Sequence, residues 1–195
     1  MGAYLAQVLP FWEKHIDRPA LPPWKRYQAW YAADRAGVLQ FEELVETLLA
    51  ESTGARDISN TAATIILLDQ FPRKLFPGQE KAYAGHDSAA DIAGPLLRHG
   101  EDEHLPIAVR IALAMSLCSV ERQEMADAAV AWFDAQMPSA ADSDRAVLED
   151  FRGIAERRRE ILGLHGRFPG RNAALGRTTT PTEAYLLVGH AIEVA

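Results

Sequence analysis

Apolar side chains recur along this chain mostly at intervals of three and four residues, the spacing that lines one face of an α-helix. In FEELVETLLAE (41–51), Leu44, Leu48 and Leu49 share a face with acidic residues opposite. SNTAATIILLDQF (59–71) offers Ser59 or Asn60 as a cap before a dense apolar run, and its alanine-rich lead-in favours helix over strand. HDSAADIAGPLLRHG (86–100) is expected to open on Asp87 or Ser88 and stop at Gly100, with Pro95 kinking or dividing it. LPIAVRIALAMSLC (105–118) has Pro106 at a first-turn position and is apolar nearly all round, which assigns it to the middle of a bundle. ERQEMADAAVAWFDAQM (121–137) runs up to Pro138. The longest pattern, DRAVLEDFRGIAERRREILGLHG (144–166), has Val147, Phe151, Ile154, Ile161 and Leu162 as its buried stripe. Its Arg157, Arg158 and Arg159 sit between Glu156 and Glu160, charges that compensate along a helix surface. Thr180-Pro181-Thr182-Glu183 is a complete capping box ahead of a short closing helix, YLLVGHAIEV.

No stretch alternates in the manner of a strand, and no internal period of about 20 to 50 residues suggests a repeat array. The expectation is an all-α protein, one domain over 1–195, built as a bundle of roughly seven to nine antiparallel helices joined by short loops. In DRPALPPWKRYQAWYAADRAGVLQ (17–40) the prolines mark a loop, after which Trp24, Tyr27, Trp30 and Tyr31 fall at helical spacing. Such a stripe reads as core packing before it reads as a ligand cage.

Totals sharpen this picture. With 195 residues, 48% of them hydrophobic and 24% charged, the chain has enough apolar material for one substantial core. Cys118 is the single cysteine, so no internal disulfide forms and a reducing, cytoplasmic setting is expected. The opening MGAYLAQVLP lacks the features of a signal peptide, and no apolar run is long enough to cross a membrane. The net charge is −7, yet residues 152–177 hold seven arginines against Glu156 and Glu160 alone. An acidic body with one basic segment excludes general nucleic-acid affinity, which needs a broad cationic surface.

The familiar chemical signatures are absent: no GxGxxG, HExxH, cysteine pair or nucleophile elbow. GRNAALGRT departs from a phosphate loop in glycine spacing, and Arg177 stands where a lysine belongs. HGEDEH (99–104) gathers two histidines and three carboxylates, but nothing in its spacing aims them at a metal, and it reads as a solvated loop. Cys118, closing an apolar helix, reads as a small buried residue. No metal and no cofactor is expected.

Two similar phrases remain. LLDQFPRKLFPG (67–78) and HGRFPGRNAALGR (165–177) both contain Phe-Pro followed closely by arginine, and the second holds three arginines and a histidine with no carboxylate. A residue before proline is pushed out of helical geometry, so each phrase should end a helix at its phenylalanine, Phe71 or Phe168. Arg73 and Arg171 would then stand on rigid, non-helical backbone. Guanidinium forks there suit a carboxylate or phosphate, and equally they cap helix carbonyls or pair with buried acids such as Asp69.

LLDQFPR-x-LF-x-G, and RFP-x-RN-x-x-LGR followed by TP-x-E, closely resemble the hallmarks of the bacterial family called domain of unknown function 924. The resemblance spans residues 58–187, which leaves 1–55 as divergent N-terminal helices and 56–195 as a family-like core. It implies a tetratricopeptide-like superhelical packing of antiparallel helix pairs, in shape and not in repeat sequence, since the tetratricopeptide residue signature is missing. The family's motif positions here are Asp69, Gln70, Phe71, Pro72 and Arg73, then Arg167, Phe168, Pro169, Arg171, Asn172, Leu175, Gly176 and Arg177. Relatives show a His-Ser-Glu step after the central apolar helix, where this chain reads Ser119-Val120-Glu121. Glu121 survives and the histidine does not, which counts against an enzyme.

Two functions follow as expectations. The first is a non-catalytic helical scaffold that binds a protein or peptide partner. The second is a site, enzymatic or not, for a small anionic metabolite, lined by Arg73, Arg171, Asn172, Asp69 and His165. Gln70, Glu121, Arg167 and Arg177 belong to the same network under either reading. The second requires the two Phe-Pro corners to meet in space, and a groove rich in exposed apolar side chains would support the first.

Overall fold

The structure, a computed structural model, describes residues 2–16, 35–50 and 58–189. The stripe Trp24, Tyr27, Trp30 and Tyr31 lies outside the described residues. Among the described residues there is no strand. The α-helices are α1 (Gly2–Ile16), α2 (Arg35–Leu39), α3 (Glu42–Ala50), α4 (Ile58–Asp69), α5 (Phe71–Leu75), α6 (His86–Arg98), α7 (Ile107–Leu117), α8 (Gln123–Gln136), α9 (Asp142–His165) and α10 (Pro181–Gly189). Three-residue 3₁₀ turns fall at Glu80–Ala82, Met137–Ser139 and Pro169–Arg171. Among the described residues eight helices have nine residues or more, and α2 and α5 are single turns of five.

Two helices that lack a polar face hold the centre. α4 is buried without interruption from Ala62 to Asp69, and α7 from Ile111 to Leu117. Neither can sit at a surface without exposing aliphatic side chains, so the others assemble round them. α1 packs on both, and Trp12 donates its indole N–H to the Ala108 carbonyl at 2.9 Å. α6 also lies on both, α8 packs on α7, and α9 packs on α8 and α7. Phe11, Phe41 and Phe71 form an aromatic trio with ring centroids 5.2 to 5.8 Å apart, tying α1, the start of α3 and α5 together. A separate small cluster of Ala126, Ile161, Leu162 and Phe168 takes Leu186 and Leu187 of α10.

Several boundaries differ from expectation for local reasons. α4 begins at Ile58, before Ser59 and Asn60, so neither caps it. α6 begins at His86 with Gly85 as its N-cap, and it runs through Pro95 undivided. Pro106 is the N-cap of α7, outside the first turn. The Phe-Pro corners are the larger correction. α4 stops at Asp69, and the short helix α5 begins at Phe71 with Pro72 in its first turn, so Arg73 lies in a helical turn. A proline has no N–H to lose at a first turn, which makes Pro72 an initiator here. α9 ends at His165 on Gly166, whose φ of 68° is the left-handed cap, three residues ahead of Phe168. Arg158, read as a surface residue, is buried on the inner face of α9, and Ile154 is only half-buried. Asp102 also departs from its solvated-loop reading: it is buried, bonds Arg110 Nε at 2.9 Å and accepts the Trp132 indole N–H at 3.3 Å.

Gly85 controls how closely α6 meets α4. A methyl group there would stand 2.4 Å from the Leu68 carbonyl oxygen and 3.0 Å from Leu49 Cδ2. Only hydrogen fits, and the close approach sets His86 beside Asp69. Gly85→Ala should therefore lower stability by about 1–3 kcal/mol in urea denaturation. Gly163→Ala, on the exposed side of α9 with no close neighbour, should raise it by about 0.4–1 kcal/mol. Equal effects of the two would refute the contact argument.

Candidate functional site

The first corner is built by a four-residue step. Asp69 is fully buried at the end of α4, and Arg73, one turn later, donates Nη2 to Asp69 Oδ2 and Nε to the Asp69 carbonyl, both at 3.1 Å. The Gln70 side-chain amide donates to the same carboxylate oxygen. Asp69 Oδ1 is left facing His86 Nε2 at 3.4 Å.

Carboxylates from elsewhere organise the second corner. Glu121 accepts the Phe168 backbone N–H at 2.8 Å, and Arg177 Nη1 lies 2.8 Å from each of its oxygens. Glu183 closes the expected capping box: it accepts the Thr180 N–H at 2.7 Å and donates its own N–H to Thr180 Oγ1 at 3.3 Å. The same carboxylate takes Arg167 in fork fashion, from Nε at 2.6 Å and Nη2 at 2.9 Å, and Asn172 Nδ2 at 3.2 Å. The Arg167 guanidinium and the Thr180 N–H together pull the Glu183 carboxyl down to about 2. Asn172 Nδ2 also reaches Thr179 Oγ1 at 3.3 Å.

Arg171, the last residue of the 3₁₀ turn, points the other way, into the interior. Its Nη1 donates to the Ser119 carbonyl at 2.7 Å, and its plane lies over the Phe168 ring at 4.3 Å and the Tyr83 ring at 5.0 Å. The same carbonyl bonds His86 Nδ1 at 2.9 Å. Arg158 Nη1 donates to Ser119 Oγ at 3.3 Å. The two corners thus meet through a chain of contacts: Arg73, Asp69, His86, the Ser119 carbonyl, Arg171. Burial first, then the guanidinium groups of Arg171 and Arg73, hold the His86 ring well below its ordinary value. Burial, with Arg158 and Arg73, brings Arg171 down to about 9, still charged at neutral pH. Burial pushes the Cys118 thiol up, so it stays protonated.

The expected site residues divide into three sets. Asp69, Gln70, Arg73 and Arg171 converge on the interior. Arg167, Asn172, Arg177 and Glu121 belong to the neighbouring carboxylate pairs that pin the second corner. His165 is half-buried at the end of α9 and makes none of these contacts, so it drops out of the lining. His86, Ser119 and Arg158 enter in its place. Their sequence surroundings carry no sign of it: His86 looks like the residue before a cap, and Arg158 one of three surface arginines. Among the described residues no group of His, Cys, Asp and Glu is placed to hold a metal ion.

Residues 8–189 match the model of the family described as Bacterial protein of unknown function (DUF924). The chain belongs to this family. The match takes in the N-terminal helices, beyond the 58–187 over which the resemblance was read. A solved structure of a protein of unknown function from Agrobacterium tumefaciens is 26% identical, with a TM-score of 0.67, over 95% of this chain and 97% of that one. No curated protein matches. Among the described residues of this DUF924 member, no helix is long and apolar enough to cross a membrane.

A groove with a volume of 530 Å³ lies apart from the corners, between α6, α7 and α8. Leu97, Leu117, Met125, Ala131 and Trp132 form much of its wall, and Arg110 with Asp102 closes one side.

The Glu183 carboxyl gives an acid-limb test. Its pKa is lower folded than unfolded, so its stabilisation is complete above the ordinary 4.5 and drains away as pH falls towards 2. Urea midpoints of the wild type should fall more steeply over that range than those of Glu183→Gln. Parallel slopes would show that Glu183 carries no such role.

Proposed function

We propose that this protein binds a small molecule through a carboxylate or phosphate held by Arg171, with His86 and Asp69 beside it. One observation carries the reading. Arg171 is 3% exposed, and its Nε and Nη2 have no hydrogen-bond partner. Those two donors form one edge of the guanidinium, the fork that takes a carboxylate or phosphate through two parallel bonds. Of the other arginines of the second corner, Arg167 spends its fork on Glu183, and Arg177 is paired through Nη1 with Glu121. A buried charge left without a counter-charge is costly, and an anion removes that cost.

The test is thermal melting of the wild type and Arg171→Gln against a panel of mono- and dicarboxylates and phosphate esters. The variant should fold with stability within about 1 kcal/mol of the wild type, since Ser119 keeps its bond to His86. A ligand at about a hundredfold its Kd should stabilise the wild type by about 2.7 kcal/mol and leave the variant unmoved. Equal responses, or a variant that loses more than about 3 kcal/mol while nothing stabilises the wild type, would return Arg171 to a purely structural role.

A second reading, a docking surface for a partner protein, is favoured by the apolar groove between α6 and α8. Cys118 is buried, so Ala131→Cys places an exposed thiol in that groove. Photo-crosslinking from it in cells should give one discrete adduct. An adduct pattern shared by Glu149→Cys, or none, would discard the groove.

A further inference from the structure

Resting on the anion reading, we infer that the anion enters together with a proton, which His86 stores on Nε2 against Asp69. His86 has both ring nitrogens committed: Nδ1 bonds the Ser119 carbonyl at 2.9 Å and Nε2 faces Asp69 Oδ1 at 3.4 Å. A carbonyl can only accept, so Nδ1 carries a hydrogen and the neutral ring has a bare lone pair at Nε2. That lone pair meets another acceptor, and both His86 Nε2 and Asp69 Oδ1 are buried without a hydrogen-bond partner. One added proton would put a cation 3.4 Å from a buried carboxylate oxygen. With neither nitrogen turned outward, the ring does not act as a base on a ligand.

The groups round His86 explain why that proton is absent at rest. Asp69 faces it from α4, Arg73 from α5, Arg158 from α9 and Arg171 from the 3₁₀ turn. Tyr83 stands edge-on at 5.6 Å, and the Cys118 thiol is neutral at the end of α7. Asp87, next in its own helix, is turned outward to Arg122 at 3.6 Å. Burial and three guanidinium groups oppose an imidazolium. An anion on the Nε–Nη2 edge of Arg171 cancels one of those charges, and the proton affinity of His86 rises. Linkage is reciprocal, so anion binding must strengthen as pH falls.

The probes are sulfate, for phosphate-type oxygens, and acetate, for carboxylates, because neither changes charge between about pH 6 and 8.5. Calorimetry on the full chain in two buffers of different ionisation enthalpy should find up to one proton taken up per bound anion. The affinity should gain up to about tenfold for each unit of falling pH. The His86 ring resonance should titrate at higher pH in saturating sulfate or acetate than without it, a measurement that needs no variant. His86→Asn keeps a donor for the Ser119 carbonyl and should bind with a flat pH profile and no proton uptake. Binding by the wild type with no proton uptake and an unmoved His86 titration would overturn this inference and leave the anion site intact. Failure of both anions to bind at any pH would overturn the inference together with the reading beneath it.

Discussion

The Ser119 carbonyl, just past the end of the most apolar helix, is the buried acceptor through which the two Phe-Pro corners are joined. α7 is buried to its last residue, so the backbone that leaves it carries acceptors that water does not reach. His86 from α6 and Arg171 from the 3₁₀ turn supply the donors, and Arg158 from α9 adds a bond to the Ser119 hydroxyl. Three elements distant in sequence are therefore tied to one residue. The negative pole of the α7 dipole makes this end of the helix a natural place for cations. The cost appears in the same atoms, because the cations that satisfy the carbonyl are themselves desolvated and lie within reach of one another.

The arginines of the basic segment resolve into different jobs once their acceptors are known. Arg167 and Arg177 neutralise Glu183 and Glu121, and through those carboxylates they fix the start of α10 and the backbone of Phe168. These are cross-links of the kind that position a loop. Arg171, three residues beyond Phe168, has its guanidinium over two aromatic rings and bonded to a carbonyl, a setting that orients a guanidinium without neutralising it. Orientation without neutralisation separates a receptor for an anion from a salt bridge, and the proposed function rests on that difference.

Elements governed by short-range rules are legible in the sequence alone. The capping box at Thr180–Glu183 forms as written, since its partners lie three residues apart. α7 is central because its composition leaves it no surface-facing side. The arginine site was legible only in part. The two Phe-Pro phrases pointed to the right neighbourhood, and Asp69, Arg73 and Arg171 are there. Their local geometry differs from expectation, because at both corners the proline sits in the first turn of a short helical element, where its missing N–H costs nothing. His165, adjacent in sequence to the second motif, was favoured over His86, which is far from both.

The sequence by itself determined an all-helical chain, its central helix, its last cap and the residue types of the proposed anion site. Periodicity, capping and composition are local properties, and each can be read within a turn or two of helix. Only the tertiary structure decided which arginine is buried without a carboxylate partner, because that depends on where Glu121, Glu183 and Ser119 come to rest. It also decided that a histidine stands against Asp69, since the approach of α6 to α4 is set by the missing side chain of Gly85 and the position of the Leu68 carbonyl. Contacts between residues tens of positions apart follow from packing, and no local pattern records them.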